Sequence, residues 1–164
     1  MAITPDLTGR TVLVTGSARR VGRELLLSLA DCGADVVVPY HDSEAAATAT
    51  AEEARERGVE ATTVQGDVTD PAAVDDLFTA AAETLDTVDV LVNNVGDFDS
   101  RHWSEIEWES WRNVVESTFY GTVLCSRRAL PAMRERGWGR IVNIGFADSD
   151  RRHAHPVNFP YFVA

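Results

Sequence analysis

The residues of this chain best suited to chemistry lie just after short runs of β-branched apolar residues. The first group is Thr15-Gly16-Ser17-Ala18-Arg19-Arg20-Val21-Gly22. Glycine permits a tight turn and a close backbone approach. A helix starting there offers unpaired N–H groups and its positive dipole end to an anion. Arginines are disfavoured at a helix start unless an anion binds, so Arg19 and Arg20 point to a phosphorylated ligand. A second group is Tyr40-His41-Asp42, a third Gly66-Asp67-Val68 and a fourth Asn93-Asn94-Val95-Gly96, with Tyr161 near the C-terminus. His153-Ala154-His155 offers two imidazoles without a third ligand and reads as a polar loop rather than a metal site. Cys32 and Cys125 form no metal spacing.

These groups need elements to hold them. Arg10–Thr15, Val36–Val38, Glu60–Val64, Val88–Val92 and Arg140–Ile144 read as five strands, apolar enough to be covered on both faces. Between them lie helical patterns. The first carries Val21, Leu25, Leu26 and Leu29 on its apolar face and ends near Gly33. The second starts at a Ser43 cap and stops at Gly58. The third starts at Asp70-Pro71, with proline at the first helical position, and runs to about Leu85. Ser104 and Glu107 form a capping box before a long helix from Trp111 toward Arg136, which Pro131 is expected to kink. Strict alternation implies an α/β fold: a doubly wound parallel sheet of the Rossmann type, strand order 3-2-1-4-5, with helices on both faces. Ligands of such sheets bind at the carboxyl ends of the strands, where the reactive groups fall.

The glycine loop resembles the Thr-Gly-x-x-x-Gly-x-Gly motif of the short-chain dehydrogenase/reductase family, with Arg20 where that family usually has its middle glycine. Asp67-Val68 resembles its adenine-contacting pair. Asn93-Asn94-Val95-Gly96 resembles its Asn-Asn-Ala-Gly motif, and Tyr161 stands where its Tyr-x-x-x-Lys begins. The resemblance implies hydride transfer between a nicotinamide cofactor and a ketone or secondary alcohol, nearest in flavour to the 3-oxoacyl-carrier-protein reductases. It implies a cofactor held by Gly16, Ser17, Arg19, Arg20, Val21, Gly22, Tyr40, Asp67, Val68, Asn93, Val95 and Gly96. NAD-binding members carry a carboxylate where Tyr40 stands, and Arg19 lies where NADP-binding members carry a base, so NADP is expected over NAD; Asp42 opposes this. Tyr161 would be the general acid/base, and Thr118 takes the place of the helix asparagine that positions a relay water. The lysine of the motif would be residue 165, beyond Ala164. The serine position holds Phe146, after Gly145, and Ser149 comes three residues late. The alternative is a catalytically impaired or inactive dinucleotide-binding remnant.

The composition bounds the rest. With 164 residues, 45% of them apolar, the chain suits one domain spanning 1–164. The resemblance makes that domain incomplete, with 147–164 a loop and the start of a further helix. It also implies an uncovered sheet face, marginal stability for this chain alone, and a homo-oligomer for a longer version, formed through the Trp111–Arg136 helix. Net charge is −11, and all fifteen basic residues are arginine. Such acidity argues against nucleic-acid and anionic-membrane partners and for a small-molecule substrate. No leader or spanning segment is read, so the expectation is a soluble cytoplasmic protein. The missing lysine fits a salt-loving host and codon bias equally.

Overall fold

The computed structural model describes residues 5–145 and 157–164. Five strands, β1 (Thr11–Val14), β2 (Asp35–Tyr40), β3 (Ala61–Gln65), β4 (Val90–Asn93) and β5 (Arg140–Asn143), form one sheet in the order β3-β2-β1-β4-β5. Every pairing is parallel, and the register sets Leu13 opposite Val37 and Leu91. The expected strand order is therefore the one observed.

Side-chain alternation along the strands builds two cores. Val12, Val14, Val36, Val38, Val90 and Val92 face α1 (Arg20–Ala30) and α2 (Glu44–Glu56). Leu13, Val37 and Leu91 face the opposite way, onto α3 (Pro71–Thr84) and α5 (Gly121–Glu135). α2 meets the sheet through Ala47, Ala51 and Ala54, all fully buried, whose small side chains let the helix axis lie close. Asp70 caps α3 by accepting from the Ala72 N–H at 2.8 Å, with Pro71 in the first turn, as the sequence indicates.

Four expectations need correction. Val21 is 65% exposed, and α1 instead buries Gly22, Leu26, Leu27 and Ala30. The close approach of Gly22 to the Gly16 carbonyl in the loop after β1 fits a helix turned with that stripe inward and Val21 outward. Ser43 stands before α2 but caps nothing with its side chain; its Oγ accepts from Arg19 instead. Ser104 lies in a 3₁₀ turn (Trp103–Glu105), where His102 accepts from its N–H, and α4 (Trp108–Val115) begins without a side-chain cap. The long helix is interrupted at a π turn, Glu116–Tyr120, and α5 runs on through Pro131. A π turn needs no proline, only one extra residue between hydrogen-bonded partners, so hydropathy spacing does not reveal it.

β5 also departs from a strand covered on both faces. Arg140, Val142 and Asn143 are exposed and Ile141 half-buried. Trp103 and Trp108 are exposed too, while Trp111 packs edge-on against Phe159 at 5.7 Å between ring centres. Among the described residues no helix is long and apolar enough to cross a membrane. His153, His155, Phe146 and Ser149 lie outside the described residues.

Cys125 is fully buried in the α3–α5 core, and loss of water around it pushes its thiol up to about 12. Both cysteines are free. The thiolate is the reactive form, so Cys125 is protected by burial and by protonation at pH 8. A thiol-labelling assay on the native protein at pH 8 is expected to count one fast-reacting group, Cys32. A second should appear only on unfolding.

Candidate functional site

A cleft of about 470 Å³ opens at the carboxyl ends of the strands. Gly16, Ala18 and Arg19 come from the loop after β1, and Tyr40, His41, Asp42 and Ser43 from the end of β2 and beyond. Gly66, Asp67, Val68 and Thr69 follow β3, and Val95 and Asp97 follow β4. Asn113, Glu116 and Ser117 close the far wall from α4 and the π turn. Six residues proposed from sequence to hold a cofactor, Gly16, Arg19, Tyr40, Asp67, Val68 and Val95, thus share one cleft.

The β1 loop is folded by contacts that demand small residues. Gly16 has φ +69°, open to glycine at little cost. A methyl on Gly22 would lie 2.4 Å from the Gly16 carbonyl oxygen and 2.6 Å from Asn94 Nδ2. Thr15 joins this loop to the next. Its Oγ1 accepts from the N–H groups of Asn94 (2.8 Å) and Val95 (3.1 Å), and its carbonyl accepts from Asn94 Nδ2 (3.0 Å). Ser17 is 0% exposed, and its hydroxyl meets no partner among the described residues. A buried hydroxyl without a partner costs stability unless a ligand oxygen or water completes it. The tight glycine turn, the helix start and this unpaired donor together fit a pyrophosphate.

Arg19 and Arg20 behave differently. Arg19 Nη2 donates to Ser43 Oγ at 2.7 Å, which holds its guanidinium at the β2 end of the cleft beside Tyr40. Arg20 is exposed and adopts φ +56°, a left-handed backbone that costs an L-residue with a Cβ roughly 1–2 kcal/mol. Arg20→Gly is therefore expected to raise the unfolding free energy of the unliganded protein by about 1 kcal/mol after the greater unfolded-state entropy of glycine is allowed for. Thermal melts should show a rise of roughly 2–4 °C.

Asp67 is set by its neighbours. Burial raises its pKa, but the Thr69 N–H and hydroxyl, both 2.8 Å from Oδ1, outweigh that and hold it below the ordinary carboxylate range, with His41 adding to the effect. Its Oδ2 faces His41 Nε2 at 4.0 Å. Arg19 is the one guanidinium lining the cleft among the described residues, against the carboxylates of Asp42, Asp67, Asp97 and Glu116.

The proposed catalytic residues meet at a different glycine. A methyl on Gly96 would lie 2.7 Å from Tyr161 Cε2 and 3.1 Å from Thr118 Oγ1. Thr118 sits in the π turn, and its Oγ1 is buried with no partner among the described residues. Tyr161 lies on the short helix α6 (Phe159–Val163) and is half-buried. Ser117, beside Thr118, accepts from the Asp97 N–H at 3.1 Å and donates to the Val114 carbonyl at 3.3 Å.

Asn93 holds elements together. It is 4% exposed, and its Nδ2 donates to Asn143 Oδ1 (2.8 Å) and Ser126 Oγ (3.1 Å), tying β4 to β5 and α5. The sequence singles out His41 together with Tyr40 and Asp42 but gives it no role, and it marks Ser43 only as a helix cap. Asp97, Asn113, Glu116 and Ser117 were missed, because they lie on polar stretches indistinguishable from solvated surface.

Beyond the cleft, Asp99 follows β4 and is largely buried. The Arg101 guanidinium, then the Ser110 hydroxyl and the Arg101 N–H, hold its carboxyl well below the usual range. Among the described residues no group of three or more His, Cys, Asp or Glu is arranged to hold a metal.

Comparison with known proteins gives one consistent result. The family model for short chain dehydrogenase matches residues 10–158. A short-chain type dehydrogenase/reductase of Picea abies is 34% identical over 84% of this chain and 54% of its own length. A 3-oxoacyl-[acyl-carrier-protein] reductase of Synechocystis is 36% identical over 84% of this chain and 56% of its own. A putative gluconate dehydrogenase from Agrobacterium tumefaciens superposes with TM-score 0.90 at 35% identity, covering 99% of this chain and 63% of that one. A gluconate 5-dehydrogenase from Burkholderia cenocepacia, solved with NADP and tartrate, gives TM-score 0.87 at 29% identity, over 96% and 61%. The chain spans little more than half the length of the curated relatives it matches.

Proposed function

Since this chain belongs to the short-chain dehydrogenase family, we propose that it binds NADP(H) in the cleft. There it serves an oxidoreductase acting on a ketone or secondary alcohol. The observation that carries the cofactor reading is the pairing of Arg19 with Ser43 at the β2 end, beside Tyr40 rather than a carboxylate. A guanidinium fixed there can fork onto a ribose 2′-phosphate, whereas the NAD ribose 2′-OH is usually met by Asp or Glu. Asp42 works against this and tunes the preference rather than reversing it.

Gly16, Ser17 and Gly22 would hold the pyrophosphate on the start of α1, with Arg20 near it. Asp67 and Val68 would hold the adenine, and Val95 and Gly96 the nicotinamide side. A nicotinamide cofactor held there would supply hydride chemistry at a carbonyl carbon. Tyr161 would hold, at its phenol oxygen, the proton that the carbonyl oxygen takes up. Thr118 Oγ1, buried against the same glycine, would hold a water that returns a proton to that phenol. The 3-oxoacyl group named for the Synechocystis relative and the gluconate named for two solved neighbours both contain a carbonyl or secondary alcohol, and both belong in the substrate panel.

Titration with NADPH, followed by its fluorescence, tests the reading. Saturable binding with consumption of NADPH over a panel of ketones is the expected result. Binding without consumption would make the chain a dinucleotide-binding module, and no binding would overturn both.

A further inference from the structure

We propose that Asn158 is a positioning residue for Tyr161, clamping the helix that carries the phenol to the loop after β4. The inference rests on Tyr161 as the acid/base group.

Asn158 stands immediately before α6, three residues ahead of Tyr161. It is 5% exposed and adopts φ +53°, a left-handed backbone that asparagine tolerates far better than most residues with a Cβ. Three hydrogen bonds converge on it. Its Oδ1 accepts from the Asp99 N–H at 3.3 Å, and its own N–H donates to the Arg101 carbonyl at 3.3 Å. Its carbonyl accepts from the Phe162 N–H at 3.2 Å, closing the single turn of α6. Because the Asp99 N–H can only donate, the amide orientation is fixed with oxygen toward Asp99.

Asp99 is itself anchored. Its carboxylate accepts from Arg101 and from the Ser110 hydroxyl on α4. A continuous path therefore runs from α4 through Ser110, Asp99 and Asn158 into α6. The Phe159 ring against Trp111 runs beside it, and an isolated bridge between His102 and Val157 holds the strand-like approach. A five-residue helix has no stability of its own, so the place of Tyr161 against Gly96 and Thr118 depends on the contacts that anchor α6, among them those of Asn158 at its N-terminal cap. Asn158 touches neither of those residues in any contact described above. Its effect on chemistry would pass through the angle and depth of the phenol.

The test incorporates 3-fluorotyrosine into the full chain and follows its three tyrosines by fluorine NMR, with Tyr161→Phe assigning one resonance. Asn158→Gly keeps the left-handed backbone and the two main-chain hydrogen bonds to Arg101 and Phe162, and deletes only the side-chain bond that ties α6 to Asp99. The expected result is a displaced, broadened Tyr161 resonance with an altered pH profile, while Tyr40 and Tyr120 stay in place. NADPH affinity should be unchanged. With a turned-over ketone, kcat should fall about 10- to 100-fold at constant KM for NADPH, the scale of a misplaced catalytic group. An unmoved Tyr161 resonance, or equal disturbance of all three, overturns the proposal. If Asn158→Gly does not fold, Ser110→Ala decides, since it loosens Asp99 from α4. A smaller shift confined to Tyr161 supports the clamp and an unchanged spectrum refutes it. Failure of the cofactor reading would appear separately, as absence of NADPH binding in the unmodified chain.

Discussion

Gly22→Ala is expected to weaken NADPH binding by about 100-fold or more and to lower the melting temperature by several degrees. The added methyl would sit 2.4 Å from the Gly16 carbonyl oxygen. That atom belongs to the backbone of the same loop and cannot rotate away, so either the loop or the start of α1 must shift. Overpacking of this kind typically costs about 1–3 kcal/mol of stability. The binding loss is larger because the shift misaims the N–H groups at the helix start, and each 1.4 kcal/mol is a factor of ten in affinity. Gly58→Ala is the matched control. Gly58 also has a positive φ, +88°, but a Cβ there meets nothing within 4 Å. It should cost some stability through backbone strain and leave NADPH affinity as it was. Melting curves and fluorescence titrations of both variants check the contrast.

The second large effect is on cofactor choice. Arg19→Gln should raise the Kd for NADPH by about 10- to 150-fold, the range set by the roughly 1.5–3 kcal/mol of hydrogen bonds to a charged group. The Kd for NADH should stay within about twofold, because the lost interaction is with the 2′-phosphate alone. The effect should be large because the lining is otherwise rich in carboxylates and no second arginine among the described residues lines the cleft to compensate. It should shrink at high salt, since Arg19 is exposed and screening acts on exposed charges. Equal losses for both cofactors would show that Arg19 merely supports the loop.

The sheet was legible because each strand carries a compact apolar run flanked by turn residues, and alternation of strands and helices leaves few topologies. The strand limits drifted by a residue or two at Glu60, Val88 and Ile144, where pairing with a neighbour, not composition, ends a strand. Val21 misled because its hydropathy matches a core position, while the packing of Gly22 against Gly16 fits a helix turned with Val21 outward. Ser43 misled in a more informative way. Its type suits a helix cap, but a guanidinium from 24 residues earlier reaches its hydroxyl. Asn113, Glu116 and Ser117 were invisible because polar residues on a helix look alike whether they face water or a cleft. The left-handed backbones of Arg20 and Asn158 also leave no hydropathy signature; the first was legible only as an arginine standing where related chains have glycine.

The double acceptance by Thr15 Oγ1 of the Asn94 and Val95 N–H groups has a kinetic consequence. It staples the loops after β1 and β4 to each other in the unliganded protein, so two walls of the cleft are already in register before a ligand arrives. A ligand then spends little of its interaction energy on ordering those walls. Association should depend chiefly on encounter and orientation, and variants within the cleft should differ mainly in how long the complex lasts.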